Sequence, residues 1–206
     1  MRLALDVRDL VIATWPVRRE AVERVVPANL APAEIDGEHR VSVVALRYRG
    51  GRLGRLPLAP FSQLNVRTYV EWEGEPAVFF LAARVTAFGL GGIAVGAPYR
   101  YAVLRLAPGR LRAPGLGLAL DYRVGGAGEP GALGRHELGL FEHDGLRAVR
   151  IRRGPAQWQA AELVGEPRTD LLVAYGLEPT GPPGLVYTAG TSFGAEVPPE
   201  RLKPKP

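Results

Sequence analysis

The residues best suited to chemistry lie in the segment Gln63–Val70, where polar and apolar side chains alternate. In an extended strand, successive side chains point to opposite faces. One face of this strand would be polar or aromatic throughout, and it consists of Gln63, Asn65, Arg67 and Tyr69. A guanidinium on a covered face needs an internal acid, a bound anion or contact with water. The segment therefore predicts the wall of an anion-binding pocket, a solvated outer face, or an Arg67 that is paired with an acid such as Glu71.

Two other patterns resemble catalytic motifs but lack their partners. Gly190–Gly194 matches the nucleophile elbow of serine hydrolases, yet Pro198 opposes the helix that must follow, and His143 is the last histidine in the chain. His136 and His143 lie close to acidic residues, but the turn signal at Asp144 would end any helix joining them. We therefore expect neither a hydrolase triad nor a metal, and no cofactor.

Composition removes several other classes of chemistry. The chain has no cysteine, which excludes disulfides, cysteine-ligated zinc, iron–sulfur clusters and thiol nucleophiles. Lysine occurs only at Lys203 and Lys205, near the end of the sequence. The body of the fold therefore offers no phosphate-loop lysine and no interior lysine that could form a Schiff base.

The charge pattern bears on partners and location. The net charge of +5 comes from arginines scattered along the chain, which disfavours a nucleic-acid partner because no basic stripe forms. Arginine in place of lysine, a single methionine and abundant proline are typical of a GC-rich or heat-adapted source. Charges at Arg2, Asp6, Arg8 and Asp9 interrupt any signal peptide, and no apolar run reaches the roughly 20 residues of a membrane span. We expect a cytoplasmic protein without a membrane partner.

The elements that would position these residues are mostly short strands. A chain of 206 residues with 47% hydrophobic residues suits one globular domain, and 26 glycines with 19 prolines favour many turns. Apolar spacing predicts a helix after Trp15 that ends at Pro27, and a strand over His39–Arg49. Gly50–Ser62 is predicted to be a loop.

The rest of the chain favours a barrel or sandwich, folded as a single domain over residues 1–196 with a Pro-rich tail at 197–206. Gln63–Trp72 and Ala77–Phe88 should form a hairpin, and Pro130–Phe141 a short helix. Further strands are predicted at Tyr99–Leu106, Leu118–Val124, Leu146–Arg153, Gln157–Leu163, Leu171–Tyr175 and Leu185–Ala189.

Six segments stand out in order along the chain: Trp15-Pro16-Val17, Asn65–Val70, Val78–Leu81, Pro98–Ala102, Gln157–Ala161 and Val186–Thr188. Together they resemble the YqjF-like family of the acetoacetate-decarboxylase-like superfamily. The resemblance implies a mainly β fold of the α+β type, an antiparallel β-barrel with a few short helices and a central cavity. The strand pattern independently agrees with this expectation.

The chain departs from the family at residues that matter for chemistry. Thr14 and Gln63 stand where family members usually have histidine and glutamate. In the decarboxylase a proline-lysine-lysine segment supplies the Schiff-base nucleophile, whereas the comparable segment here is Pro98-Tyr99-Arg100. Neither tyrosine nor arginine forms an imine. The resemblance therefore implies that decarboxylation by that route is absent.

Three hypotheses follow from these observations. The first is a barrel that binds a small carboxylate or other anion in a cavity, because guanidinium groups bind such oxyanions with paired hydrogen bonds. The residues assigned to that cavity are Gln63, Asn65, Arg67, Tyr69, Tyr99 and Arg100. The second is a lysine-independent enzyme acting on a small keto acid or carbonyl compound, with Tyr99 or Glu142 transferring protons. The third is a ligand-free interaction barrel, with a homodimer formed through exposed strand edges.

Overall fold

Strands dominate the structure, which is a computed structural model describing residues 1–131 and 136–202, apart from the side chains at positions 90, 91, 94 and 95. The strands of the first half are β1 (Arg2–Pro16), β2 (Ala31–Pro32), β3 (Glu34–Ile35), β4 (Glu38–Leu53), β5 (Leu56–Leu58), β6 (Phe61–Trp72), β7 (Glu75–Val85), β8 (Tyr99–Tyr101) and β9 (Arg105–Ala107). Those of the second half are β10 (Arg110–Ala113), β11 (Leu118–Ala127), β12 (Leu138–Glu142), β13 (Leu146–Arg153), β14 (Gln159–Leu163), β15 (Arg168–Thr169), β16 (Gly184–Thr188), β17 (Thr191–Glu196) and β18 (Glu200–Arg201).

The helices of the described residues are short. Two are α-helices, α1 (Arg19–Glu23) and α2 (Asp170–Val173), and two are 3₁₀ helices, at Ala87–Val95 and Pro114–Leu116. None of them has the length and apolar character that a membrane crossing requires.

Seven strands close into a barrel in the order β1, β4, β6, β7, β12, β13 and β17, with β17 pairing back to β1. All neighbours in this ring are antiparallel except β7 and β12. Closure leaves the barrel wall without a free edge, so its inner face encloses a space. The predicted β-barrel with a few short helices is confirmed.

Strand β1 belongs to two sheets because of its length. Its first half pairs with β17, from Arg2 to Val7, and its second half pairs with β16, from Leu10 to Thr14. The register with β4 shifts on both sides of Val7, where the strand passes from one sheet to the other. Beyond β16 the outer sheet continues through β14, β11, β10 and β9. This sheet covers the outside of the barrel wall.

The alternation predicted for Gln63–Val70 is present in β6. Leu64, Val66 and Val70 are buried in the main apolar core, together with residues of the outer sheet such as Leu118. The opposite face of β6 points into the barrel. A β-bulge in β7 lies between the pairs Val66–Ala82 and Arg67–Phe80. The extra residue in β7 bends the wall beside Arg67.

Three predictions for the first part of the chain had different outcomes. The helix after Trp15 is confirmed, although α1 covers only Arg19–Glu23. The predicted loop Gly50–Ser62 is wrong, because β4 runs on to Leu53 and pairs with β5 before β6 begins. Sequence reasoning also missed β1, because its charged residues alternate with apolar ones only in the first half.

Predictions near the end of the chain require correction as well. The predicted strand Leu171–Tyr175 begins instead as helix α2, with Leu171 and Leu172 buried. For the predicted helix Pro130–Phe141, residues 132–135 lie outside the described residues, and Leu138–Glu142 is strand β12. Tertiary pairing outweighs local propensity there, because β12 is held between β7 and β13. The start of the Pro-rich tail is also part of the sheet, since β18 (Glu200–Arg201) pairs with β13.

Candidate functional site

The barrel encloses a cavity of about 190 Å³. Its wall is mostly apolar, with leucine, valine and phenylalanine side chains from several barrel strands. The side chains with polar groups in this wall are Tyr48, Gln63, Asn65, Arg67, Tyr99 and Arg153. No aspartate or glutamate lines the cavity in the described part of the chain. The polar chemistry of this space is therefore cationic and neutral.

Two guanidinium groups approach the cavity from different strands. Arg67 on β6 is only 5% exposed, and Arg153 extends from the end of β13. Nη2 of Arg153 donates a hydrogen bond to the carbonyl oxygen of His136 at 3.2 Å, whereas its buried Nη1 has no acceptor among the described residues. Burial, reinforced by the positive charge of Arg67, lowers the pKa of Arg153 to about 10. The two cations repel each other, and an anion placed between them would offset this repulsion.

A chain of hydrogen bonds links two phenols to two amides on the same wall. The hydroxyl groups of Tyr48 and Tyr99 each donate to Oε1 of Gln63 at 3.2 Å. Nε2 of Gln63 in turn donates to Oδ1 of Asn65 at 2.8 Å. Burial raises the pKa of Tyr99 to about 12, and burial with the nearby Tyr99 raises the pKa of Tyr48 well above its usual value. Both phenols therefore stay protonated at neutral pH and act as donors.

A second polar chain lies behind Arg67. Oγ1 of Thr14 is 2.7 Å from Oγ of Ser42, which is 2.6 Å from the hydroxyl oxygen of Tyr69. The guanidinium carbon of Arg67 lies 5.8 Å from the centre of the Tyr69 ring, within the range of a cation–π contact. The Tyr69 ring is also 5.2 Å from the ring of His136. Tyr69 thus supports Arg67 but does not line the cavity.

The 3₁₀ helix Ala87–Val95 contributes Phe88, Gly89 and Gly92 to the cavity wall. At Gly92 a β-carbon would lie 2.5 Å from Cε2 of Tyr99, far inside the contact distance. Glycine is therefore required here for the Tyr99 ring to pack against the helix and reach Gln63.

The structure brings together four of the residues assigned to the cavity from sequence. Gln63, Asn65, Arg67 and Tyr99 all line it. The placement of Arg100 in the cavity is wrong, because this residue is exposed on β8 and lies outside the lining. Arg100 follows Tyr99 directly, and adjacent residues of a strand point to opposite sides.

The same alternation separates the two residues assigned to proton transfer. Tyr99 lines the cavity, whereas Glu142 is exposed at the end of β12 and its neighbour Phe141 lines the wall instead. Of these two alternatives for proton transfer, only Tyr99 therefore lies at the cavity. With its raised pKa, Tyr99 is suited to donating a hydrogen bond and not to accepting a proton at neutral pH.

Sequence reasoning missed Arg153 as a cavity residue. Leu146–Arg153 was identified as a strand, but Arg152 and Arg153 are adjacent and either of them could have faced inward. The usable signal was the alternation of Val149, Ile151 and Arg153, which places the arginine on the same face as two apolar side chains. Tyr48 would have followed from the same reasoning applied to β4.

The other sequence motifs do not form sites in the described parts of the chain. No three histidine, aspartate or glutamate side chains cluster as a metal site within residues 1–131 and 136–202. Ser192, the serine of the elbow pattern, lies within β17 and pairs with Asp6 of β1. A strand at this position does not form the sharp strand-to-helix turn that exposes a nucleophilic serine.

Comparison with known proteins places this barrel among related folds. The protein "Uncharacterized protein YqjF" of Bacillus subtilis (strain 168) is 31% identical over 78 residues, which cover 36% of this chain and 32% of that protein. The match therefore spans about a third of the length of this curated relative.

Solved structures resemble the chain over nearly its full length. The enduracididine biosynthesis enzyme MppR complexed with pyruvate has a TM-score of 0.62 at 18% identity, covering 96% of this chain and 88% of that one. Acetoacetate decarboxylase from Legionella pneumophila subsp. pneumophila str. Philadelphia 1 has a TM-score of 0.65 at 12% identity, covering 96% and 87%. At these identities the likeness establishes the fold.

The sequence itself assigns the family. The model of DUF2071, described as "Uncharacterized conserved protein (COG2071)", matches residues 5–192. This range includes all the polar residues of the cavity and the barrel strands, apart from the start of β1 and most of β17. Together with the YqjF match, this confirms the resemblance found in the sequence. The barrel with its pair of inward-facing arginines thus belongs to a protein of the DUF2071 family.

Proposed function

We propose that the barrel binds a small organic carboxylate non-covalently, with the carboxylate held between Arg67 and Arg153. The observation that carries this proposal is the buried Nη1 of Arg153, which has no acceptor among the described residues. A buried donor without a partner is costly, and a charged one more so. A carboxylate at this point would accept from Arg153 and offset the repulsion between the two guanidinium groups.

The remaining wall fits the rest of such a ligand. Leu5, Phe80 and Phe193 offer apolar surface that suits a short hydrocarbon group. The volume of about 190 Å³ lies below the range usual for drug-sized ligands, so the cavity suits a small molecule. MppR, a barrel of the same fold, was solved in complex with pyruvate, which is itself a small carboxylate.

The described residues of the cavity wall offer no amine that could capture a ligand covalently as a lysine imine. Lysine occurs in this sequence only at positions 203 and 205, and none of the described residues that line the cavity is a lysine. Guanidinium groups remain protonated under ordinary conditions and do not attack carbonyl carbons. The proposed mode is therefore reversible ion pairing, in which Arg67 and Arg153 supply the charge and the apolar wall supplies the fit.

Isothermal titration calorimetry with butanoate and with its neutral isostere butanamide tests this proposal. We expect butanoate to bind and butanamide to bind at least tenfold more weakly, because only the carboxylate neutralises the guanidinium pair. Arg67→Gln should weaken butanoate binding by at least tenfold.

Arg100→Gln is the matched control, because it removes an exposed arginine outside the cavity and should leave butanoate binding unchanged. Equal affinity for the acid and the amide would contradict the proposal. An equal loss of butanoate binding in both arginine variants would contradict it as well.

A further inference from the structure

A second donor site lies next to the guanidinium pair on strand β6. We infer that Asn65 recognises a carbonyl oxygen on the ligand, so that the cavity selects oxo acids whose carbonyl lies several carbons from the carboxylate. This inference rests on the proposed function, since it assigns the carboxylate to Arg67 and Arg153. It adds a specificity-determining residue and a ligand length.

The hydrogen-bond chain sets the orientation of the Asn65 amide. Tyr48 and Tyr99 both donate to Oε1 of Gln63, which requires the oxygen of that amide to face the phenols. The nitrogen of Gln63, Nε2, must then face Asn65, and it donates a hydrogen bond to Oδ1 of Asn65. Because the oxygen of Asn65 is already engaged, its nitrogen Nδ2 is the group left to face the cavity.

Nδ2 of Asn65 has no hydrogen-bond acceptor in the part of the chain that the structure describes. The residue is only 7% exposed and lines the cavity, so bulk water does not solvate this amide freely. An amide group carries two N–H donors, and leaving these donors without acceptors in a buried site is unfavourable. A ligand oxygen that accepts from Nδ2 would satisfy them.

The strand fixes the spacing of the two residues on β6 that carry the recognition groups. Asn65 and Arg67 lie on the same face of β6, two residues apart, so their backbone positions differ by about 7 Å along the strand. In pyruvate and acetoacetate the oxo group lies within two bonds of the carboxylate carbon, which is too short to span this distance. An oxo group four bonds away, as in 5-oxohexanoate, matches the spacing better.

The wall facing this span is apolar. The cavity is lined here by Leu5 of β1, Phe193 of β17 and Ile151 of β13. Their side chains carry no polar groups. A hydrocarbon segment between the two oxygen-bearing groups would therefore pack against them. The ligand class is an acid with a short methylene chain and a distal carbonyl.

The test compares two pairs of isosteres by calorimetry on the full chain. In each pair a methyl group replaces the carbonyl oxygen: 5-oxohexanoate against 5-methylhexanoate, and acetoacetate against 3-methylbutanoate. We expect about a tenfold preference for 5-oxohexanoate over its isostere, because the isostere offers no acceptor to Nδ2 of Asn65. Acetoacetate should show no comparable preference over 3-methylbutanoate.

Two variants assign the preference to its residue. Asn65→Leu should bind 5-oxohexanoate and 5-methylhexanoate with equal affinity, whereas Asn29→Leu, at an exposed position, should keep the tenfold preference. The comparison of ligands on the unchanged protein stands even where Asn65→Leu folds poorly.

The outcomes separate this inference from the proposed function. Equal binding of both long acids to the unchanged protein, with both weakened by Arg67→Gln, would overturn the inference and keep the carboxylate site. Retention of the preference in Asn65→Leu would also overturn it. Failure of every carboxylate to bind would overturn the proposed function, and the inference with it.

Discussion

Replacing Arg153 with methionine is expected to stabilise the ligand-free protein and to abolish carboxylate binding. The guanidinium is largely buried, lies near Arg67, and has one nitrogen without an acceptor among the described residues. Burial and the positive charge of Arg67 lower its pKa to about 10, which means that the folded protein resists the charged form. Methionine fills similar space without a charge.

The sign of the pH dependence follows from the lowered pKa. Arg153 stays charged in both states below a pH of about 10, so its penalty is fully present at neutral pH. The penalty is relieved as the pH rises above 10, where the folded state loses the proton first. The shift in pKa corresponds to about 3 kcal/mol at neutral pH.

The net gain is smaller, because Arg153 also makes favourable contacts. It donates to the carbonyl oxygen of His136, and its guanidinium carbon lies 5.9 Å from the centre of the Phe193 ring. We therefore expect Arg153→Met to raise the free energy of unfolding by about 2 kcal/mol, or the Tm by roughly 5 °C. Thermal unfolding at pH 7 measures this.

Arg152→Met is the matched control, because Arg152 is the exposed neighbour on the same strand and its loss should shift the Tm little. A lower Tm for Arg153→Met than for the unchanged protein would contradict the account. Such a result would mean that Arg153 is a stabilising residue of the fold and not a group that awaits an anion.

The second large effect is expected at Gly139, where β12 packs beside the cavity wall. A β-carbon at this buried position would lie 2.6 Å from Cε2 of Phe80 and 3.2 Å from Cγ1 of Val149. Gly139→Ala should therefore push the Phe80 ring from its place and lower the free energy of unfolding by about 2 kcal/mol. Urea unfolding measures the loss.

Two comparisons show whether the clash is the cause. Gly126→Ala places a methyl group where no atom lies within 4 Å, so its stability should be nearly unchanged. The double variant Gly139→Ala with Phe80→Leu should recover part of the loss, because leucine lacks the ring atoms that collide. A Gly139→Ala protein as stable as the original would contradict the close packing of β12 on β7.

The β6 strand shows what sequence alone can predict. Strict alternation over Gln63–Val70 was enough to identify both its faces, and a polar face within a predicted barrel indicated the cavity. That reasoning placed Gln63, Asn65 and Arg67 correctly on the inner wall. The period of two predicts the faces of β6 because one face packs in the apolar core and the other faces the cavity.

The same rule fails where the environment does not alternate. The second half of β1 is buried on both faces, between the barrel and the outer sheet, so its pattern has no period of two. Arg100 was misplaced because sequence does not show which of two adjacent polar residues faces inward. Arg67 and Arg153 are 86 positions apart in the sequence, and the strand pairing through β7, β12 and β13 brings their charges close enough to interact.

An anion held between the two guanidinium groups inside the barrel would be visible directly in a crystal structure of the protein soaked with 3-bromopropanoate, in which bromine marks the ligand by anomalous scattering. We predict the carboxylate within hydrogen-bond distance of Nη1 of Arg153, with bromine against the apolar wall near Phe193. A carboxylate bound only at exposed arginines such as Arg100, with none inside the barrel, would contradict this placement of the anion.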